Sequence, residues 1–281
     1  MRNVVASSAG LPPIGVAGWC LPGDPFEQIR RAERLGFSYI QLDTGGPGRG
    51  LDLFSANLGE QIRNVANAAG VEITALAANR LNDIGICQEP FSAGRQLVRS
   101  TLLRTVDLAR SLDVKELLIP SFRRSQINEV LDLERTAEVL GWIASCAPDL
   151  TISSENGLCS DAVSDLIKKA AEPNVKILID PLNTWRMGGD PLTVIDKLYQ
   201  RISSQVHIKN GTEGLVGNTL LSGGDQPIGE FICRLRDADH RRPQLAAQRI
   251  LFLETAYLKV SKSIASAVSK DRRWLDYAWS I

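Results

Sequence analysis

Four residues carry side chains that do chemistry and share one place in a recurring unit. Glu155 lies near the end of 150-LTISSEN-156, Asp180 in 175-VKILIDP-181, His207 in 204-SQVHIKN-210 and Glu254 in 249-RILFLET-255. Each segment reads as a short apolar strand, and each of the four sits near its C-terminal end. Three carboxylates brought together would repel one another and raise one another's pKa. A divalent cation removes that conflict. An oxygen-rich set with a single imidazole suits manganese first, with magnesium, cobalt or zinc as alternatives. His207 is one of only two histidines in the 281 residues. Any one of the four alone is ordinary, because an acid near a strand end commonly caps the following helix. All four at matching positions favour a metal site.

The elements that must position them alternate along the chain. Strands are expected at 14–19, 38–43, 71–78, 115–121, 150–156, 175–181, 204–210 and 249–255. Between and after them, helical spacing of apolar residues predicts helices over 24–37, 55–70, 92–113, 133–148, 160–172, 191–202, 227–240 and 261–279. Asp24-Pro25 is a model of the start signal, an N-cap followed by proline at the first helical position. Eight βα units imply parallel strands with right-handed crossovers. They favour closure into a (β/α)8 TIM barrel, an α/β fold, over an open doubly wound sheet. Residues 1–13 read as an N-terminal extension and 14–281 as a single barrel domain. In such a barrel the active site forms at the C-terminal ends of the strands, where the four residues fall.

Composition narrows the partners. Lys plus Arg and Asp plus Glu both number 32, so the net charge is zero and no nucleic-acid footprint is visible. No apolar run reaches the length of a membrane span, and 1-MRNVVASSAGLPP-13 lacks the apolar stretch of a signal peptide. The five cysteines are scattered and odd in number, which reads as reduced thiols in a cytoplasmic protein.

The segments 152-ISSEN-156, 177-ILIDPLNTWRMGGDP-191, 206-VHIKN-210 and 251-LFLET-255 resemble the xylose isomerase-like TIM barrels. That superfamily includes ketose epimerases, hydroxypyruvate isomerase, inosose dehydratase and endonuclease IV, and the resemblance runs roughly from Ile14 to Trp279. It implies that Glu155, Asp180, His207 and Glu254 hold one divalent metal, and that Glu155 and Glu254 also carry the proton chemistry from opposite faces of the substrate carbon. A metal on a carbonyl and its neighbouring hydroxyl acidifies the C–H between them and stabilises an enediolate. The implied activity is isomerisation or epimerisation of a small carbohydrate: a ketose, a sugar acid or a cyclic polyol. Loss of water from the same enediolate, as in an inosose-like dehydratase, is the alternative. A non-catalytic sugar-binding barrel is a second, disfavoured because both glutamates are present. Barrels of this group often pair through helical faces, so a homodimer or higher homo-oligomer is expected.

The match has departures. Ketose 3-epimerases carry a histidine three residues after the metal aspartate, where this chain has Asn183, and an arginine six residues past the metal histidine, where it has Glu213. The common His-x-Lys-Asp reads 207-HIKN-210, with Asn210 in place of the acid. Endonuclease IV fits poorly, since two histidines cannot supply a multi-zinc cluster.

Other residues are candidates for gripping substrate. Lys209 points to the same side of its strand as His207. It is expected either on a substrate oxygen or in a salt bridge to Asp180 or Asp43. Trp19 is a sugar-facing wall or core, and Trp185 is such a wall in the loop beside Asp180. Asn79 and Asn183 are hydroxyl ligands or turn caps. The loop 44-TGGPGRG-50 is a phosphate cradle with Arg49 or, more in keeping with its sequence, a flexible rim. The loop 222-SGGDQP-227 is a tight turn or a lid. Cys20 lacks a base partner for nucleophilic work.

Overall fold

The structure, a computed structural model, describes residues 10–212 and 217–281. The strands are β1 (Ile14–Ala17), β2 (Tyr39–Asp43), β3 (Glu72–Ala77), β4 (Glu116–Pro120), β5 (Thr151–Glu155), β6 (Val175–Leu178), β7 (Gln205–Ile208) and β8 (Ile250–Leu253). They form one parallel sheet in the order β6-β5-β4-β3-β2-β1-β8-β7. The two end strands approach each other. Ile177 bridges Ile202, and the His207 N–H donates to the Ile179 carbonyl at 3.1 Å. The fold is a (β/α)8 TIM barrel, and its seam falls between the strands that carry Asp180 and His207.

Long helices connect the strands at Pro25–Arg34, Leu58–Ala69, Ala93–Leu112, Val130–Cys146, Ser160–Ala170, Pro191–Leu198 and Ile228–Arg241, and Ile264–Ser280 ends the chain. Their ends follow local chemistry. Asp24 accepts from the Glu27 N–H at 2.9 Å and Ser92 from the Arg95 N–H at 3.0 Å, each satisfying a donor the helix cannot pair itself. The helix expected from residue 133 begins at Val130; Val130 and Leu131 face solvent, so the core-facing apolar rhythm that marked its start begins only behind them. Short helices at Leu81–Ile84, Pro181–Arg186, Pro243–Ala246 and Tyr257–Val260 are too brief to leave a periodic trace. Among the described residues no helix is long and apolar enough to cross a membrane.

The main core lies between sheet and helices, where Val16, Ile40, Leu42, Leu117, Ile119 and Ile152 meet Ile29, Ile62, Val98, Leu102 and Leu140. Inside the barrel a small apolar group, Ala75, Ala77, Leu118 and Leu178 with Trp19 against it, is surrounded by buried polar side chains. Gly15 on β1 is required by close approach: a Cβ there would stand 2.3 Å from the Phe252 ring. Gly15 pairs with Phe252 in the β1–β8 register, two residues before Glu254.

Candidate active site

Alternation along a strand sends every second side chain into the barrel. On β7 this aligns Gln205, His207 and, just past the strand, Lys209, all buried. Glu155 ends β5, Asp180 follows β6 and Glu254 follows β8. One donor atom from each of Glu155, Asp180, His207 and Glu254 lies within 4.8 Å of the others.

Each ligand candidate is held by a second partner. Asp180 opens the helix Pro181–Arg186, and its Oδ1 accepts from the Asn183 N–H at 2.9 Å, which leaves Oδ2 facing the cluster. The Asn183 side chain donates from Nδ2 to Glu155 Oε1 at 3.0 Å. Trp19 Nε1 donates to Glu254 Oε1 at 2.9 Å, and its indole meets the His207 ring edge-on with centroids 6.0 Å apart. His207 Nε2 lies 2.8 Å from Gln41 Oε1. Lys209 Nζ lies 2.7 Å from both Asp180 Oδ2 and Glu254 Oε2.

The electrostatics follow from these contacts. Burial pulls the His207 imidazole down, but Glu254 and Glu155 outweigh it and hold its pKa up to about 10. Burial likewise works against the Lys209 ammonium, and Asp180, Glu254 and Glu155 overcome it, so Lys209 stays charged. Burial pushes Asp180 up against the pull of Lys209. For Glu254 burial is overtaken by Lys209 and His207, which hold it well below the usual carboxylate range.

Two buried atoms point into the cluster: Asp180 Oδ2, which meets the Lys209 ammonium, and His207 Nδ1, which makes no hydrogen bond. Nδ1 faces Glu254 Oε2 at 3.2 Å and Glu155 Oε1 at 3.7 Å. Unpaired buried polar atoms are rare and need a partner. Donors 2.0–2.6 Å from a cation span about 4 to 5 Å across it, which matches the spread of the four. Three oxygens and one nitrogen suit a hard or borderline divalent ion. The residues therefore fit the group.

The remaining candidates divide. Asn79 donates to Asp43 Oδ2 at 3.2 Å rather than to the cluster, and Asp43 is pushed up by burial. A cavity of about 240 Å³ beside them is lined by Trp19, Gln28, Asp43 and Arg49. Trp185 sits half-buried on the helix Pro181–Arg186 and packs on the main core. Arg49 pairs with Asp83 at 2.5 Å and stands 3.7 Å from Asp43, so the arginine ties the 44–50 loop to neighbouring carboxylates. In the 222–227 loop, Leu221–Gly223 form a 3-10 turn, and Asn210 donates to the Leu221 and Gln226 carbonyls at 2.9 and 3.3 Å. The residue standing in for the superfamily's acid is thus a loop staple. Glu213 lies outside the described residues. Burial pushes the Cys20 thiol well up, with Glu254 adding to the effect, which keeps it out of nucleophilic chemistry.

Gln41 and Gln205 were not among the residues singled out from the sequence. The signal was available. Both are polar residues at inward positions two before a site-end residue, in 39-YIQLD-43 and 204-SQVHIKN-210.

Residues 29–245 match the sequence profile of the xylose isomerase-like TIM barrel family. A 2-epi-5-epi-valiolone 7-phosphate 2-epimerase from Actinoplanes sp. is 35% identical over 246 residues, covering 87% of each chain. Among solved structures, the IOLI protein with a bound zinc atom superposes with a TM-score of 0.74 at 12% identity over 95% of this chain and 98% of that one. An L-ribulose 3-epimerase superposes with a TM-score of 0.71 at 15% identity over 96% and 95%. At these identities the two structures speak for the fold.

Proposed function

The chain belongs to the xylose isomerase-like TIM barrel family, and from that premise we propose that it is a divalent-cation-dependent epimerase or isomerase of polyhydroxylated ketones. The 35% identity to an epimerase of a phosphorylated cyclitol supports the reaction type and makes cyclic polyol ketones, free or phosphorylated, the first substrate class to examine. The observation that carries the reading is the convergence of Glu155, Asp180, His207 and Glu254, with donor atoms within 4.8 Å of one another.

These four residues would hold the cation, whose charge, when bound, would acidify a C–H next to a ketone and stabilise the resulting enediolate. The proton work falls to Glu155 and Glu254. They stand at the ends of different strands, Glu155 as the last residue of β5 and Glu254 just past β8, and those strands are not neighbours in the sheet. One carboxylate removing a proton and the other returning it on the opposite face inverts the carbon. Asn183 holds Glu155 and Trp19 holds Glu254, so neither has to reorganise to meet the reacting carbon. Lys209 keeps Glu254 anionic and places a cationic donor where a substrate oxygen would carry developing charge.

The test is solvent deuterium exchange on 2-epi-5-epi-valiolone 7-phosphate, its dephosphorylated form and a ketohexose, with Mn²⁺ added and again after chelation. Incorporation of deuterium that requires the cation, with the molecule otherwise unchanged in mass, is expected. Loss of water would make the protein a dehydratase. Binding without exchange on every ketone would leave a sugar-binding barrel and overturn the proposal.

A further inference from the structure

A line of buried side chains runs from the cluster toward the opposite end of the barrel. His207 Nε2 lies 2.8 Å from Gln41 Oε1 on β2, and Gln41 Nε2 donates to Gln205 Oε1 on β7 at 2.9 Å. Gln205 Nε2 donates at 3.0 Å both to the backbone carbonyl of Thr74 on β3 and to Glu116 Oε2 on β4. Thr74 Oγ1 donates to the same Gln205 Oε1 at 3.0 Å. Gln41, Thr74, Glu116, Gln205 and His207 are all buried.

The direction of this line is set at its Thr74 end. A backbone carbonyl can only accept. The end of the Gln205 amide that faces it must be the NH₂ group, which leaves Oε1 facing Gln41. Gln41 must then turn its NH₂ to Gln205 and its Oε1 to His207. An amide oxygen also only accepts, so His207 Nε2 carries a hydrogen. The lone pair of the neutral imidazole is thereby left on Nδ1, the nitrogen that faces Glu155 and Glu254. A flipped Gln41 would oppose oxygen to oxygen at Gln205, buried and away from water.

The Thr74 carbonyl is at hand because of a bulge. Ile40 pairs with Ile73 and Gln41 with Ala75, so Thr74 stands opposite no residue of β2, and pairing with β4 begins at Ala75. An extra residue in one strand re-aims its groups out of the ladder.

We propose that Gln41 and Gln205 are positioning residues, and that the relay from Thr74 through Gln205 and Gln41 holds His207 in the tautomer that offers Nδ1 to a cation. The proposal rests on the reading of Glu155, Asp180, His207 and Glu254 as a metal centre. It explains why a barrel interior carries two interlocked glutamines. An amide has a right and a wrong end, so Gln41 accepts reliably from Nε2–H only if Gln205 orients it. A carboxylate has two accepting ends and needs no orienting.

That difference supplies the test. In protein carrying ¹⁵N-labelled histidine and loaded with Zn²⁺, only His207 and His240 contribute signals. For His207, a protonated Nε2 with a slowly exchanging hydrogen and a zinc-shifted Nδ1 are expected. Zinc affinity is then compared among variants by competition with a chelator. Gln205→Met lowers affinity by about ten- to a hundred-fold, the range for loss of a partner behind a ligand. Adding Gln41→Glu to Gln205→Met restores affinity to within a few-fold of wild type. A merely structural role predicts additive losses with no rescue, and that result would overturn the proposal. So would stoichiometric zinc with an unprotonated Nε2 in the wild-type protein, which needs no variant to fold. Failure to take up zinc at all would overturn the metal reading, and the relay's purpose with it.

Discussion

Lys209 Nζ lies 2.7 Å from Asp180 Oδ2, inside the cluster of candidate ligands, and at the same distance from Glu254 Oε2. The ammonium therefore neutralises two carboxylates that a cation would also claim. In Lys209→Met, Asp180 loses its ion-pair partner and Glu254 keeps only the His207 imidazolium. Without metal the variant is expected to lose about 3–5 kcal/mol, the cost of removing one partner of a buried ion pair. Added Mn²⁺ should recover much of the loss, and the variant should bind Mn²⁺ more tightly than wild type. Thermal denaturation with and without Mn²⁺ checks both.

Cation uptake should be strongly pH-dependent. His207 holds its proton up to about 10 in the metal-free protein, because Glu254 and Glu155 outweigh the effect of burial. A cation on Nδ1 must displace that proton. Between the raised pKa of Asp180, about 7, and this one, each binding event releases a proton, so affinity rises about tenfold per pH unit; the rise is steeper at lower pH, where Asp180 is protonated too, and levels off above the pKa of His207. Calorimetry in buffers of differing ionisation enthalpy counts the released protons. Binding with no proton release would contradict the assignment of His207 as a ligand.

The two glutamates and their holders should separate in kinetics. Glu155→Gln and Glu254→Gln each remove a proton carrier, and each should lower deuterium exchange by about 10²- to 10⁴-fold. Asn183→Ala removes only the hydrogen bond to Glu155 Oε1. It should cost about tenfold in kcat, with little change in melting temperature, since Asn183 is partly exposed.

Glu116 offers a stability test away from the candidate ligands. Burial raises its pKa above 4.5, against hydrogen bonds from Ser153, Ser203 and Gln205. The folded state then favours the protonated acid. Its contribution is fully present below the unfolded pKa and is lost as pH rises through the folded one, at about 1.4 kcal/mol per unit of elevation. In Glu116→Gln the side-chain oxygen can accept from Gln205 and the NH₂ can donate to the serine hydroxyls. Urea denaturation across a pH series should show wild type losing stability on passing from acid to neutral, relative to a flatter Glu116→Gln profile.

Much of this molecule was legible along the chain. The repeating strand and helix signals are local, so the eight units, the barrel and the strand-end positions of Glu155, Asp180, His207 and Glu254 could be read without coordinates. Inward alternation also placed Lys209 beside His207. Short helices such as Pro181–Arg186 escaped because one or two turns carry no period, and the early start at Val130 escaped because its first turn is apolar and exposed.

What the sequence by itself determined is the set of chemical groups and their height in the barrel, since strand alternation and βα order depend on near neighbours only. Which groups touch was decided by closure. Lys209 was free to pair with Asp43 or Asp180, and the β6–β7 seam places it on Asp180. Gln41 and Gln205 are 164 residues apart in sequence, and Gln205 and Thr74 are 131 apart. Their contact needs a closed barrel interior and a bulge that frees one carbonyl, and no spacing along the chain encodes either. The orientation of His207, on which the chemistry of the whole cluster turns, is for that reason a property of the tertiary structure.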